Sequence, residues 1–129
     1  MAPRYARMTR AEFKRVILEA LEELPPEFQQ ALDNIDTQVR WRPTPEELRR
    51  TRVRPGGDLF GVYTGVPITK RSHYDSLRPP DIIVIYQRTH ELYCKTHERM
   101  VEQARQTLIH EIGHYMGIDE RRLRDLGVG

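Results

Sequence analysis

The stretch Thr107-Leu108-Ile109-His110-Glu111-Ile112-Gly113-His114-Tyr115-Met116-Gly117-Ile118-Asp119-Glu120 carries both a helical period and a set of metal-binding side chains. Its pattern is H-E-x-x-H-x-x-G-x-x-E. Two histidines at i and i+4 project from one side of a helix, at a spacing that lets both imidazoles grip one Zn²⁺. The glutamate between them, Glu111, is placed to act as general base on a metal-activated water. A bare H-E-x-x-H match is a common accident. Gly117 and Glu120 at the two later positions make accident a much poorer explanation.

Projected at about 100° per residue, Val101, Ala104, Leu108, Ile112 and Tyr115 fall within about 80° of one another and form the expected core stripe. His110 and His114 lie roughly on the opposite side, so histidines packed within an apolar face fit poorly. Gly117 can leave the helix in a left-handed conformation, turning the chain back so that Glu120 faces the metal. Asp119 is the alternative third ligand, although an N-cap role explains it adequately. Two imidazoles and one carboxylate leave zinc a fourth position for water, the catalytic arrangement, with one zinc per chain. The chain has one cysteine, Cys94, so the site must be built from histidine and carboxylate.

Working outward, Thr9 with Glu12 forms a capping box, and Phe13, Val16, Ile17, Ala20, Leu21 and Leu24 continue at the helical period until Pro25-Pro26. A short helix over Glu27 to Leu32 follows. Ile35 to Trp41 alternates as a half-buried strand. Pro45-Glu46-Glu47-Leu48 is a short helix with Thr44 as cap. Pro55-Gly56-Gly57 predicts a turn before a strand at Leu59 to Thr64. Asp81 to Gln87 is apolar and β-branched on both faces, the mark of a buried central strand. Thr89 to Gly117 is helical in two pieces, and Asp119 caps a last helix ending at Gly127. This order predicts an α+β fold: one compact domain over 1–129, with N-terminal helices and an active-site helix on a small twisted mixed sheet.

Apolar residues make up 38% and charged residues 31%, a soluble globular profile that excludes a membrane span. The absence of a cysteine pair removes a disulfide scaffold. The basic start at Arg4, Arg7 and Arg10 runs into Glu19, Glu22 and Glu23 rather than an apolar core, so no export signal is expected and the protein reads as cytoplasmic. Net charge is +2, too small an excess to set up a global field for nucleic acid. Arg40-Trp41-Arg42 and Arg49 to Arg54 make a basic segment that reads as a solvated face, so a nucleic-acid partner is not expected. Cys94 reads as a half-buried thiol, with His90 and His97 at the surface.

The chain resembles the minimal zincin-like metallopeptidases of bacteria, small proteins once catalogued as a domain of unknown function. The likeness covers roughly Leu59 to Gly127. It rests on Gly61-Val62-Tyr63-Thr64-Gly65-Val66-Pro67-Ile68-Thr69-Lys70-Arg71-Ser72, on Pro80-Asp81-Ile82-Ile83-Val84-Ile85-Tyr86, and on Thr107 to Ile118. The resemblance implies a zincin-like α+β fold, His110 and His114 as zinc ligands, Glu111 as catalytic residue and Glu120 as third ligand. It also implies a zinc-dependent endopeptidase acting on peptide or protein substrates. The larger metzincins carry a methionine turn well downstream of the third ligand. Nine residues follow Glu120 here and none is Met, so the floor of the site is expected to be built differently.

Peptide substrates commonly add as a strand to an exposed sheet edge; Tyr63 to Ile68 is the expected edge, with Pro67 marking it as non-central. His73, Tyr74, Tyr93 and Tyr115 are candidate oxyanion stabilisers. No segment resembles a removable pro-region, so slow turnover or narrow specificity is expected. The rival function is a non-catalytic zinc-binding module that takes a protein partner through the cleft. Glu111 favours the enzyme, because a purely structural site needs no base there.

Overall fold

A computed structural model describes residues 7–51, 53, 57–72 and 78–125. The expected residues 55–56 of the turn, His73, Tyr74, Arg4, Arg52, Arg54 and the helix end at Gly127 lie outside them. Helix α1 spans Arg10–Glu22 and begins at the expected box: Thr9 accepts from the Glu12 backbone N–H, and Glu12 accepts from that of Thr9. The carboxylate's bonds with Thr9 hold the pKa of Glu12 below the usual range. Helix α2 spans Pro26–Ala31, strand β1 Asp36–Arg40 and helix α3 Pro45–Arg50, which carries a second capping box between Thr44 and Glu47. Strand β2 is Gly61–Thr64 and strand β3 Ile82–Tyr86. Helix α4 spans Gln87–Tyr93, α5 His97–Tyr115 and α6 Glu120–Asp125.

The sheet runs β1-β3-β2, parallel between β1 and β3 and antiparallel between β2 and β3. The doubly apolar run is therefore the central strand, and the fold is α+β as expected. Ile83 and Ile85 face the main core with Phe13, Val16, Ala20, Ala104, Leu108 and Ile112. Val84, Tyr86 and Val62 face a smaller cluster on the other side of the sheet. Each large apolar side chain so buried contributes about 1.5–3 kcal/mol, which makes the α1–α5 layer against β3 the mechanical base of the fold. Among the described residues no helix is long and apolar enough to cross a membrane.

Three local expectations need correction. The strand at 35–41 is shorter and lies at a sheet edge, so its alternation does not translate into one covered face: Thr37 is exposed and Trp41 is 42% exposed beyond its end. Cys94 is buried, and burial pushes its thiol pKa up. His90 is fully buried rather than at the surface, because α4 starts directly from the end of β3 and points this residue back into the core. Its ring lies 5.3 Å from that of Phe13 and 5.1 Å from that of Phe60. Its Nδ1 is 2.8 Å from the Tyr86 carbonyl oxygen. A carbonyl can only accept, so Nδ1 carries the proton, and Nε2 lies 3.2 Å from the Thr107 hydroxyl oxygen. His97 is exposed as expected and lies 2.6 Å from a Glu19 carboxylate oxygen.

Candidate metal centre

Thr96 caps α5 by accepting from the Arg99 backbone N–H. Its inward stripe is buried as the period requires, with Ala104, Leu108 and Ile112 fully covered. His110 and His114 are left on the open side, half-buried, with ring centroids 4.6 Å apart. Ligand-capable atoms of His110, Glu111 and His114 lie within 4.8 Å of one another.

Glu111 is the most enclosed of the three, with 7% of its surface exposed. Its Oε1 accepts a hydrogen bond from the Tyr63 backbone N–H at 2.9 Å and lies 3.3 Å from His114 Nδ1. β2 is an edge strand, so the Tyr63 amide points away from β3 and toward α5. The sheet edge thus holds the carboxylate in place. The segment after it does not continue the edge: Gly65 has φ +146° and Ile68–Lys70 is a 3₁₀ turn. The expected edge at Tyr63 to Ile68 is thereby corrected to Gly61–Thr64.

The helix ends in a Schellman turn. The Ile118 N–H donates to the Gly113 carbonyl at 2.8 Å, and the Gly117 N–H to the His114 carbonyl at 3.0 Å, with Gly117 at φ +79°. Asp119 then caps α6, accepting from the Arg122 N–H at 2.8 Å. That leaves the next residue to reach back, and Glu120 Oε1 lies 3.2 Å from His110 Nε2. Of the two candidate third ligands, the structure brings Glu120 to His110 and commits Asp119 to its cap. The anchor of this return is Leu123, fully buried against Gly113, where any Cβ would sit 2.9 Å from both leucine methyls.

The hydrogen bond with Glu111 raises the pKa of His114 against the opposing effect of burial, and the charges of Glu111 and Glu120 add to the rise. Two carboxylates thus stabilise positive charge at the His114 imidazole. The two imidazoles and the Glu120 carboxylate make a donor set that fits Zn²⁺, with Glu111 beside it. The site opens into a cleft of about 290 Å³, with Leu59, Phe60 and Gly61 on one wall and Gln103, Thr107 and His110 on the other.

Of the candidate oxyanion stabilisers within the described residues, Tyr93 is 63% exposed and packs on Phe60 with ring centroids 5.7 Å apart. Tyr115 is buried, edge-on to Tyr63 at 6.0 Å and covered by the Arg71 guanidinium at 5.5 Å. The Tyr63 amide was not visible as a site group in the sequence, since nothing local links positions 63 and 111. Gly113 did leave a signal: glycine inside a helix costs about 1 kcal/mol against alanine, a cost that a close approach accounts for.

Gly61 marks another close approach. A Cβ there would lie 2.8 Å from Thr107 Cγ2 and 2.9 Å from the Val84 carbonyl oxygen. Thr107 is held by its bond to the Gln103 carbonyl, and Val84 by the sheet, so neither can give way. Gly61→Val is expected to lower stability by about 2 kcal/mol through overpacking. Urea unfolding measures it; a change below about 0.5 kcal/mol would contradict this packing.

The family model for zincin-like metallopeptidases matches residues 32–129. Among solved structures, the chain is similar to a conserved hypothetical protein of Thermus thermophilus. The two share 18% identity with a TM-score of 0.53, over 92% of this chain and 97% of that one; at this identity the likeness concerns the fold alone. No curated protein matches the chain.

Proposed function

Because the chain belongs to the zincin-like metallopeptidase family, we propose that it is a zinc-dependent peptidase whose metal is held by His110, His114 and Glu120. The observation that carries this reading is the return of Glu120 to within 3.2 Å of His110 beside a sequestered Glu111. The chemistry a bound zinc supplies there is Lewis acidity toward water and a peptide carbonyl. Glu111 takes the proton of the attacking water and delivers it to the leaving amine. The Tyr63 N–H fixes one oxygen of Glu111, and among the described residues the other makes no hydrogen bond. That second oxygen is the one free to carry the proton.

The peptide lies in the cleft of about 290 Å³ between β2 and α5, small enough to take only a short part of it at a time. Narrow specificity follows, and rapid non-selective digestion of casein would contradict it. The direct test is metal content and peptide-library cleavage. Wild type is expected to hold one zinc per chain and to cleave selected peptides in a chelator-sensitive way, and His110→Ala to lose both. Zinc binding without cleavage of any peptide would instead support the non-catalytic module.

A further inference from the structure

A half-buried ion pair lies behind the metal centre and outside the mechanism above. Arg71 Nη2 donates to both oxygens of Asp81, at 2.7 and 2.8 Å. Tyr63 donates its hydroxyl to the same carboxylate at 2.7 Å. The Asp81 side chain is 9% exposed and that of Arg71 20%. Burial, followed by the hydrogen bond to Asp81, raises the pKa of Tyr63, so the hydroxyl stays a donor. An ion pair in such a position is weak evidence for a contribution to stability, because desolvation offsets its attraction. Its geometry gives it another use.

Arg71 Nε donates to the Val66 carbonyl at 2.9 Å, so one guanidinium ties the end of the 66–71 loop to its beginning and both to Asp81, the residue before β3. Gly65 lets the chain pass directly over this cluster: a Cβ there would lie 2.6 Å from Asp81 Oδ1 and from the Tyr63 hydroxyl oxygen. At the loop's tip, the Thr69 side chain fits the space beside Gly117, where any Cβ would overlap it. Gly117 is the pivot of the turn that returns Glu120 to His110. The turn is therefore gripped from one side by the 66–71 loop and from the other by Leu123 on Gly113. The Arg71 guanidinium also covers the ring of Tyr115, the residue after His114.

We propose that Arg71 and Asp81 are positioning residues for the third metal ligand, acting through Thr69 on the Gly117 turn to hold Glu120 at the histidines. This rests on the zinc site proposed above. Partners that orient a ligand from outside the coordination sphere typically affect metal affinity about 10- to 100-fold, and a loop clamp acting through one contact falls at the lower end.

The test is a double-mutant cycle on zinc affinity, measured by competition with a chromogenic chelator, with Co²⁺ absorption as a second readout of the ligand set and circular dichroism as the check on folding. Asp81→Asn is expected to weaken zinc about tenfold in the wild-type background, with a Co²⁺ spectrum shifted toward that of Glu120→Ala. In the Glu120→Ala background it is expected to change affinity less than twofold. Thr69→Ala cuts the contact without touching the ion pair and is expected to give the same pattern at smaller size, which keeps the test decisive should Asp81→Asn fail to fold. An equal loss in both backgrounds, or no loss from either variant, overturns the proposal while leaving the zinc site standing. A wild-type protein that binds no zinc overturns the site itself.

Discussion

Glu111→Gln is expected to lower peptide hydrolysis by a factor of about 10² to 10⁴, the usual contribution of a positioned general base, while zinc binding stays near the wild-type level. The amide keeps the size of the side chain and can still accept from the Tyr63 N–H, so geometry is preserved. What it cannot do is take the proton. The loss should fall on kcat, with KM little changed, because the proton moves only as the transition state forms. Single-turnover cleavage of a good peptide, alongside the metal content of the variant, decides it. A variant with zinc bound and more than a tenth of wild-type kcat would assign the base elsewhere.

The second large effect belongs to the core. Full burial lowers the pKa of His90 to about 4, against a smaller opposing effect of its bond to the Tyr86 carbonyl. The unfolded chain takes up this proton near pH 6.5 and the folded chain does not. Between about pH 6.5 and 4, unfolding therefore binds a proton, and stability falls as pH falls. The full span is worth about 3 kcal/mol, since each pKa unit corresponds to about 1.4 kcal/mol. His114, whose pKa moves the other way, tilts the curve in the opposite sense. The clean measurement is thus the difference between wild type and His90→Phe, in which terms common to both cancel. Denaturant unfolding from pH 7 to 4.5 is expected to show a flatter acid limb in His90→Phe by about one proton. Parallel curves would mean that His90 reaches solvent.

The elements legible in the sequence were those specified within a few residues. Thr9 with Glu12 and Thr44 with Glu47 are complete capping boxes, the β-branched run at 82–86 is the central strand, and the stripe on α5 is the buried face. The return of Glu120 was legible too, because the left-handed glycine and the Asp119 cap are both local. His90 was not: α4 has seven residues, under two turns, too few for a period to separate inside from outside. The contacts that complete the candidate site span long sequence distances. Tyr63 meets Glu111 across 48 positions and Asp81 across 18, and the sheet that brings them together is a tertiary fact. Trp41 misled for a related reason, since alternation reports a covered face only where something covers it.

Sheet edges are also where folded chains aggregate, because unpaired amides offer a template for another chain's strand. Here both edges are blunted by side chains. On β2, the outward amide of Tyr63 is occupied by a carboxylate, the strand has four residues, and Gly65 and Pro67 bend the chain away. On β1, Arg10 donates to the Val39 carbonyl at 2.8 Å. The Glu111 carboxylate that occupies the Tyr63 amide thus also closes that position of the edge to pairing with another copy of the chain.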